Sequence, residues 1–210
     1  MLDPKKILVL APHTDDGELG CGGSIAKFTA DGKEVHYAAF STCRQSLPAD
    51  LPADILKQEC LKATSLLGIK QANTVFFDFD VRTFPQSRQD ILEGMVILYK
   101  TIQPDLVLTP SGNDIHQDHS TIHAESLRAF KNCSLLGYEL PWNNKHFRSD
   151  LFIRISEKDI EKKLTALKEY SSQTHRNYMQ ADFIRSLAKV RGVQCSSTYA
   201  EAFECYRLIS

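Results

Sequence analysis

Two short polar stretches carry most of the residues in this chain that could do chemistry. PHTDDGE, from Pro12 to Glu18, contains a histidine, two adjacent aspartates and a glutamate. HQDH, from His116 to His119, lies much further along the chain. Imidazoles and carboxylates crowded into one place repel or desolvate one another unless a cation holds them. Two histidines and one carboxylate with an open coordination position are typical of catalytic zinc or ferrous iron.

Each stretch alone has a plainer explanation. HxDD by itself is more often a solvated turn, and HxDH by itself is evenly balanced between a turn and a ligand pair. The metal interpretation therefore depends on the two stretches meeting in the fold. The residues that would share such a site are His13, Asp15, Asp16, Glu18, His116, Asp118 and His119.

The hydrophobic pattern predicts the elements that would bring the two stretches together. It predicts buried strands over Lys6–Ala11 and Leu106–Thr109, and helices over Ser24–Ala30 and His119–Phe130. Strand and helix alternate four times, which predicts a Rossmann-like α/β three-layer sandwich with a mostly parallel sheet. In the common strand order 3-2-1-4-5, strands 1 and 4 are neighbours, so the loops after them face one crevice at the carboxyl edge.

Composition limits the classes of function. The chain has 210 residues, 42% of them hydrophobic, which suits a single domain over residues 1–210 with a real core. A formal net charge of −1 favours neither nucleic acid nor an anionic membrane as a partner. We expect neither a signal peptide nor a membrane span. The six cysteines form no CxxC pair, so we expect no disulfide framework and a cytoplasmic protein.

The glycines after the first polar stretch raise a rival interpretation. A strand, a glycine-rich turn and a helix are also typical of a dinucleotide site, which would make the protein a nucleotide-cofactor oxidoreductase. However, GCGGSI, from Gly20 to Ile25, lacks the third glycine of GxGxxG. The preceding carboxylates would also repel a pyrophosphate. We expect Gly22 and Gly23 to allow close helix–strand packing beneath the site instead.

The two polar stretches resemble the signature motifs of one enzyme family. PHTDDGELGCGG resembles the (A/P)HPDDE motif, and HQDH the HxDH motif, of the PIG-L/LmbE-like N-deacetylases. The resemblance extends to SQ at 172–173, to RG at 191–192 and to YAEAF at 199–203. It implies a metal-dependent hydrolase, usually with zinc, that removes acetyl groups from N-acetylglucosamine-type sugars. Thr14 and Gly17 depart from the motif at positions that hold no ligand in the family.

Carried over position by position, the resemblance also implies the roles of the site residues. Asp15 would be the general base that takes a proton from the attacking water. A protonated His116 would help to hold the oxyanion, and Asp118 is the candidate carboxylate that fixes it. The leaving amine would receive its proton from Asp15 or His116. The implied metal ligands are His13, Asp16 and His119.

Other residues carry weaker expectations. Arg44, Arg82 and Arg88 lie near the ends of strands 2 and 3, where one of them could bind a sugar hydroxyl or an anionic group. Trp142 could stack on a sugar face, although core packing or packing in a homo-oligomer fits it equally. For Glu18 we favour a helix-dipole role over a place behind the ligands.

Two further residues, a histidine and a cysteine, are expected to play no part in the chemistry. His123 is expected to be packed or exposed rather than to support His119, and Cys43 to be a plain thiol. The role of the segment around Cys195 stays open.

The hypothesis that fits these observations is a zinc-dependent hydrolase, with other divalent ions such as Fe²⁺ open. Its substrate would be a small N-acetylated amino sugar or a conjugate of one. The alternatives are the oxidoreductase above and a non-catalytic sugar-binding relative, against which the complete HxDD and HxDH sets argue. The sequence does not identify the aglycone.

Overall fold

A computed structural model describes residues 3–48 and 51–209 of the chain. The strands are β1 (Lys6–Ala11), β2 (Glu34–Ala39), β3 (Thr74–Phe76), β4 (Leu106–Pro110), β5 (Ser134–Tyr138), β6 (Leu151–Ile155) and β7 (Tyr199–Arg207). The α-helices are α1 (Asp16–Ala30), α2 (Ile55–Leu66), α3 (Arg88–Ile102), α4 (Gln117–Ala129), α5 (Glu157–Leu167) and α6 (Ala181–Gln194).

All of these strands form one sheet in the order β3-β2-β1-β4-β5-β7-β6. The first five strands run parallel, and β7 is antiparallel to both β5 and β6. The prediction of a mostly parallel sheet with strands 1 and 4 adjacent is therefore confirmed. The order reverses at β1, which pairs with β2 on one side and with β4 on the other.

Strand β1 is buried on both faces, and its residues divide the core into two layers. Ile7, Val9 and Ala11 join a cluster with side chains of α1, α2, α5 and α6. Leu8 and Leu10 join a second cluster with side chains of α3 and α4. This alternation follows from the two-residue period of a strand and gives the predicted three-layer sandwich. Among the described residues, no helix combines the length and the apolar character needed to cross a membrane.

Helix α1 differs from its predicted extent. The sequence predicts a helix from Ser24, but α1 begins at Asp16 and breaks at Cys21, where φ is −144° and ψ is 23°. Glycines lower helix propensity, which is why the periodicity places the start too late. The fold needs glycine there, since a Cβ on Gly20 would lie 2.2 Å from Cδ2 of Tyr138.

A buried ion pair bridges the break in α1. The Lys163 ammonium donates to the Leu19 carbonyl (2.7 Å) on the first side and contacts Glu201 (2.7 Å). The Glu201 carboxylate accepts the N–H groups of Gly23 (3.0 Å) and Ser24 (2.6 Å) on the second side. Backbone groups that the break leaves without helical partners are thereby satisfied. The pair fixes the angle at which the first segment of α1 approaches the sheet edge.

Candidate functional site

The two polar stretches meet at the carboxyl edge of the sheet, as the strand order predicts. β1 ends at Ala11, and His13 follows just before α1 begins. β4 ends at Pro110, and His119 lies in the first turn of α4. Nε2 of His119 lies 3.2 Å from Nδ1 of His13, although the two residues are 106 positions apart.

Three side-chain atoms form a compact triangle at this point. Nδ1 of His13 lies 3.1 Å from Oδ2 of Asp16, and Nε2 of His119 lies 3.2 Å from the same oxygen. The third edge is the 3.2 Å between the two histidines. Tetrahedral zinc ligands at their usual bond lengths lie about 3.3 Å apart, so this donor set fits one divalent ion. The set contains the three residues that the family resemblance implies as ligands.

His116 offers an alternative third nitrogen. The ligand nitrogens of His13, His116 and His119 lie within 4.8 Å of one another, which is also compatible with a metal. The triangle that includes Asp16 is tighter, and a carboxylate lowers the charge cost of holding a dication. We therefore prefer Asp16 as the third ligand and leave His116 free to face the cleft.

The negative potential of the site draws positive charge toward the triangle. Burial opposes protonation of His119, yet Asp16 and Asp114 raise the pKa of this imidazole to about 10. Burial likewise opposes ionisation of Asp16, but His119 and His13 hold the pKa of this carboxyl well below its usual range. A divalent cation would supply the same positive charge without protonating the ligands.

Each histidine of the triangle contacts a carboxylate through its second ring nitrogen. Oδ2 of Asp118 lies 3.1 Å from Nε2 of His13, and Oδ2 of Asp114 lies 2.7 Å from Nδ1 of His119. Such partners fix the tautomer and orientation of a ligand imidazole and raise its basicity. The sequence analysis missed Asp114. The only local signal is its position shortly before HxDH, where a carboxylate can reach the first turn of α4.

His116 and Asp118 are neighbours in the structure, with Nδ1 of His116 4.0 Å from Oδ2 of Asp118, but their hydrogen bond involves the Asp118 backbone rather than its carboxylate. His116 caps α4, and its Nδ1 accepts the backbone N–H of Asp118 at 3.2 Å. The Asp118 carboxylate turns away toward His13 and accepts the N–H groups of Arg82 (2.6 Å) and Phe84 (3.3 Å). Burial, followed by the nearby charge of His119, lowers the pKa of His116. An imidazole whose Nδ1 accepts a hydrogen bond carries its proton on Nε2, whereas the family resemblance led us to expect a protonated ring.

Asp15 lines the cleft beside the triangle but takes no part in it. Its carboxyl loses solvation through burial and also feels the negative charge of Asp16, which together raise its pKa to about 6. A carboxylate with such a pKa is ionised at neutral pH and still basic enough to accept a proton. The two adjacent aspartates therefore lie in different environments.

Glu18 lies in the first turn of α1, beneath the loop that carries Asp15, but a protonated carboxyl does not supply the negative charge that the expected helix-dipole role requires. It is fully buried, and both Tyr37 and Tyr170 contact its carboxyl. The same two hydroxyls donate to the Thr14 carbonyl, at 3.0 Å and 2.5 Å. Burial raises the pKa of Glu18 to about 8. The cluster supports the loop that carries Asp15.

The departure from the family motif at Gly17 has a local reason. The Gly17 N–H donates to the Tyr37 hydroxyl at 3.2 Å. A Cβ at this position would lie 2.5 Å from Cε2 of the same ring. A larger residue would displace Tyr37 from Glu18.

An open cleft of about 280 Å³ leads from solvent to the triangle. Arg82 and Trp142 line it, as does Gln173 of the SQ pair. Trp142 stacks on Tyr178, with ring centroids 4.0 Å apart and planes 8° from parallel. The sequence analysis missed Arg176 and Tyr178, which lie in an irregular segment between α5 and α6 with no periodic signal.

The other candidate residues lie away from this cleft. Arg44 pairs with Asp78 at 2.6 Å, and Arg88 contacts Glu125; neither arginine lines the cleft. Nδ1 of His123 lies 3.1 Å from the Pro110 carbonyl.

The cysteines play no evident part in the chemistry. Cys43 lines the cleft, but burial raises the pKa of its thiol far above the usual range, which makes it a poor nucleophile. Cys195 directly follows the last residue of α6, and its carbonyl accepts from Arg154 at 2.9 Å.

The chain is similar to proteins of one known family. Residues 8–130, which include both polar stretches, match the PIG-L family, described as GlcNAc-PI de-N-acetylase. The uncharacterized deacetylase YaiS of Escherichia coli is 30% identical over 174 residues, 80% of this chain and 91% of that protein. The diacetylchitobiose deacetylase of Thermococcus kodakarensis is 25% identical over 224 residues, 95% of this chain and 82% of that one. The solved structure of N,N'-diacetylchitobiose deacetylase from Pyrococcus horikoshii has a TM-score of 0.80 at 24% identity, covering 96% of this chain and 84% of that one.

Proposed function

The chain belongs to the PIG-L family of de-N-acetylases, and we propose on this premise that it hydrolyses the N-acetyl amide of an N-acetylglucosamine-type sugar with the help of zinc. The observation that carries the proposal is the triangle of His13, Asp16 and His119 beside an Asp15 that is not part of it. Three protein ligands with an open position are the arrangement of a catalytic zinc site, and ferrous iron accepts the same donors.

The chemistry that the metal supplies when bound is a stronger nucleophile from water and a polarised amide carbonyl. The protein provides the groups that move protons. Asp15 borders the cleft next to the triangle, so its carboxylate accepts the proton of the attacking water. The protonated Asp15 can then pass this proton to the leaving amine.

His116 stabilises the negative charge that develops on the carbonyl oxygen. Because its Nδ1 accepts the Asp118 N–H, the neutral ring carries its proton on Nε2 and donates from there. A neutral donor keeps the imidazole from giving up its proton to Asp15 before the attack. This assignment makes His116 a hydrogen-bond donor throughout the reaction and leaves proton transfer to Asp15.

The first competing function, a nucleotide-cofactor oxidoreductase, is disfavoured by the start of α1. Asp16 lies in the first turn of this helix and Asp15 directly precedes it, where a dinucleotide site would place a pyrophosphate. A non-catalytic sugar-binding relative would not need an Asp15 carboxyl whose pKa is raised beside the metal triangle. We also propose that residues 1–210 act as one domain in the cytoplasm, since β1 and β7 belong to one sheet and the cysteines are free.

Acetate release tests the proposed function. Metal-reconstituted protein is incubated with free, nucleotide-linked and glycosidically linked N-acetylglucosamine, with and without a chelator. We expect acetate from at least one compound, loss of release with the chelator, and recovery when zinc or ferrous iron is restored. Absence of release from every N-acetyl compound by fully metallated protein would contradict the proposal.

A further inference from the structure

The arginines of the described chain differ in whether an acidic side chain neutralises them. The following lie within ion-pair distance of a carboxylate: Arg44, Arg88, Arg128, Arg148, Arg185 and Arg191. Arg82 and Arg176 have no such partner among residues 3–48 and 51–209, and both line the cleft above the candidate metal triangle. Two exposed cations that make no ion-pair contact with a carboxylate of the described residues therefore border the entrance to the site, although Arg176 lies near enough to Asp15 to lower the pKa of that carboxyl.

Arg176 is held in place by neutral groups. Its Nε donates to Oε1 of Gln173 at 2.6 Å, and its Nη1 donates to the hydroxyl of Tyr178 at 2.5 Å. The guanidinium carbon also lies 5.7 Å from the centroid of the Tyr178 ring. These contacts orient the guanidinium without an ion pair, and its remaining N–H groups make no hydrogen bond among the described residues that would keep them from a ligand.

The backbone fixes the position of Arg82. Its φ is +67°, a conformation that residues other than glycine adopt rarely. The Asp118 carboxylate stabilises this conformation by accepting the Arg82 N–H at 2.6 Å. The same carboxylate also contacts His13. One buried carboxylate therefore positions both the histidine at the floor of the cleft and the arginine at its rim.

The distribution of charge along the cleft orients a substrate. Asp15 and Asp16 lie at the floor, where they repel an anion, while the two arginines lie at the exposed rim. The stacked pair of Trp142 and Tyr178 provides an apolar wall on which a sugar face can lie. An N-acetylated sugar with an anionic substituent would place its acetyl group at the floor and its anion at the rim.

We propose that the substrate of this protein carries a carboxylate or phosphate group on the side of the sugar away from the reacting acetamide, and that Arg82 and Arg176 bind this anion. The inference rests on the proposed deacetylase function and specifies its substrate class. Arginine suits either anion because its planar guanidinium can donate two parallel hydrogen bonds.

The first test compares turnover of matched compounds by metal-loaded protein. The neutral compound is methyl N-acetylglucosaminide, and the anionic ones are its carboxymethyl analogue and N-acetylglucosamine 1-phosphate. We expect kcat/KM to be at least about tenfold higher for an anionic compound than for the neutral one, because a hydrogen bond to a charged group contributes more binding energy than one to a neutral group. The advantage should shrink as ionic strength rises from about 0.05 to about 0.5 M. The preferred anion distinguishes carboxylate from phosphate.

Substitutions assign the preference to the two arginines. Arg176→Gln and Arg82→Gln should each reduce the anionic-to-neutral ratio of kcat/KM by about tenfold. The matched control is Arg154→Gln, which removes an arginine that makes no ion pair with any described residue and lies outside the cleft. The control should keep the wild-type ratio. A ratio near one in wild type, or a ratio unchanged in both cleft variants, would overturn the inference.

Binding provides a readout that does not require turnover. Trp142 is the only tryptophan in the chain, and it lies in the cleft. Its fluorescence can be titrated with three deacetylated compounds: methyl glucosaminide, its carboxymethyl analogue and glucosamine 1-phosphate. Tighter binding of an anionic compound that weakens in Arg176→Gln supports the inference even if no acetate is released. Acetate release combined with equal affinities would leave the deacetylase function standing and refute the anionic substrate.

Discussion

Replacing Glu18 with glutamine should change how the stability of this protein depends on pH. The carboxyl is fully buried beneath the loop that carries Asp15, between the hydroxyls of Tyr37 and Tyr170. Its pKa rises from an ordinary value of 4.5 to about 8, chiefly because burial disfavours the charged form. The folded protein therefore holds a proton at neutral pH that the unfolded chain releases.

The sign of the effect follows from proton linkage. Between these two pKa values the folded state binds more protons, so the free energy of unfolding falls as pH rises. Each pH unit well inside this window costs about 1.4 kcal/mol, which amounts to about 3 kcal/mol between pH 5 and pH 8. Glutamine resembles the protonated acid and does not ionise. Glu18→Gln should therefore match wild type near pH 5 and exceed it in stability near pH 8.

Urea unfolding at several pH values measures this difference. A chelator in all samples removes any contribution from metal binding. The matched control is Glu93→Gln, since Glu93 is exposed on α3 and its carboxylate is solvated. The control should keep the wild-type slope. Parallel stability profiles for wild type and Glu18→Gln would refute the assignment of a protonated Glu18.

Two further substitutions test the groups that position the site. Asp118→Asn removes the carboxylate behind His13 and should weaken metal affinity about tenfold to a hundredfold, measured by competition with a chelating dye; unchanged affinity would contradict the orienting role. Glu201→Gln leaves the Lys163 ammonium buried without an anionic partner and should destabilise the fold by about 3–5 kcal/mol, measured by urea unfolding. Replacing both members of that pair with leucine or methionine should recover part of the loss, whereas equal losses in the single and double variants would argue against a coupled pair.

The position of the site could be predicted from the sequence because it depends only on the order of the strands in the sheet. Buried strands alternating with amphipathic helices allow few sheet orders, and the reversal of order at β1 places the loops after β1 and β4 together. The pairing of His13 with His119 followed from this topology and the family resemblance. The start of α1 was mispredicted because glycines required by Tyr138 interrupt the helical pattern.

The finer arrangement of the site depends on contacts that no local pattern specifies. From the sequence, the Asp118 carboxylate could equally contact His116 or His13. In the structure the His116 ring accepts the Asp118 backbone N–H at the start of α4, and the carboxylate contacts His13. Arg176 and Tyr178 reach the cleft from an irregular segment, so neither periodicity nor spacing marks them. Glu18 belongs to a buried hydrogen-bonded group whose tyrosines lie far away in sequence.

Two adjacent aspartates provide the most direct test of the central claim, which is that one of them holds a metal and the other moves a proton. Metal content per chain and acetate release are measured together for Asp15→Asn and Asp16→Asn after reconstitution with zinc. We predict that Asp15→Asn retains one metal per chain and loses most of its turnover, whereas Asp16→Asn loses the metal as well. Near-normal turnover of metal-loaded Asp15→Asn, or full metal retention by Asp16→Asn, would contradict the claim.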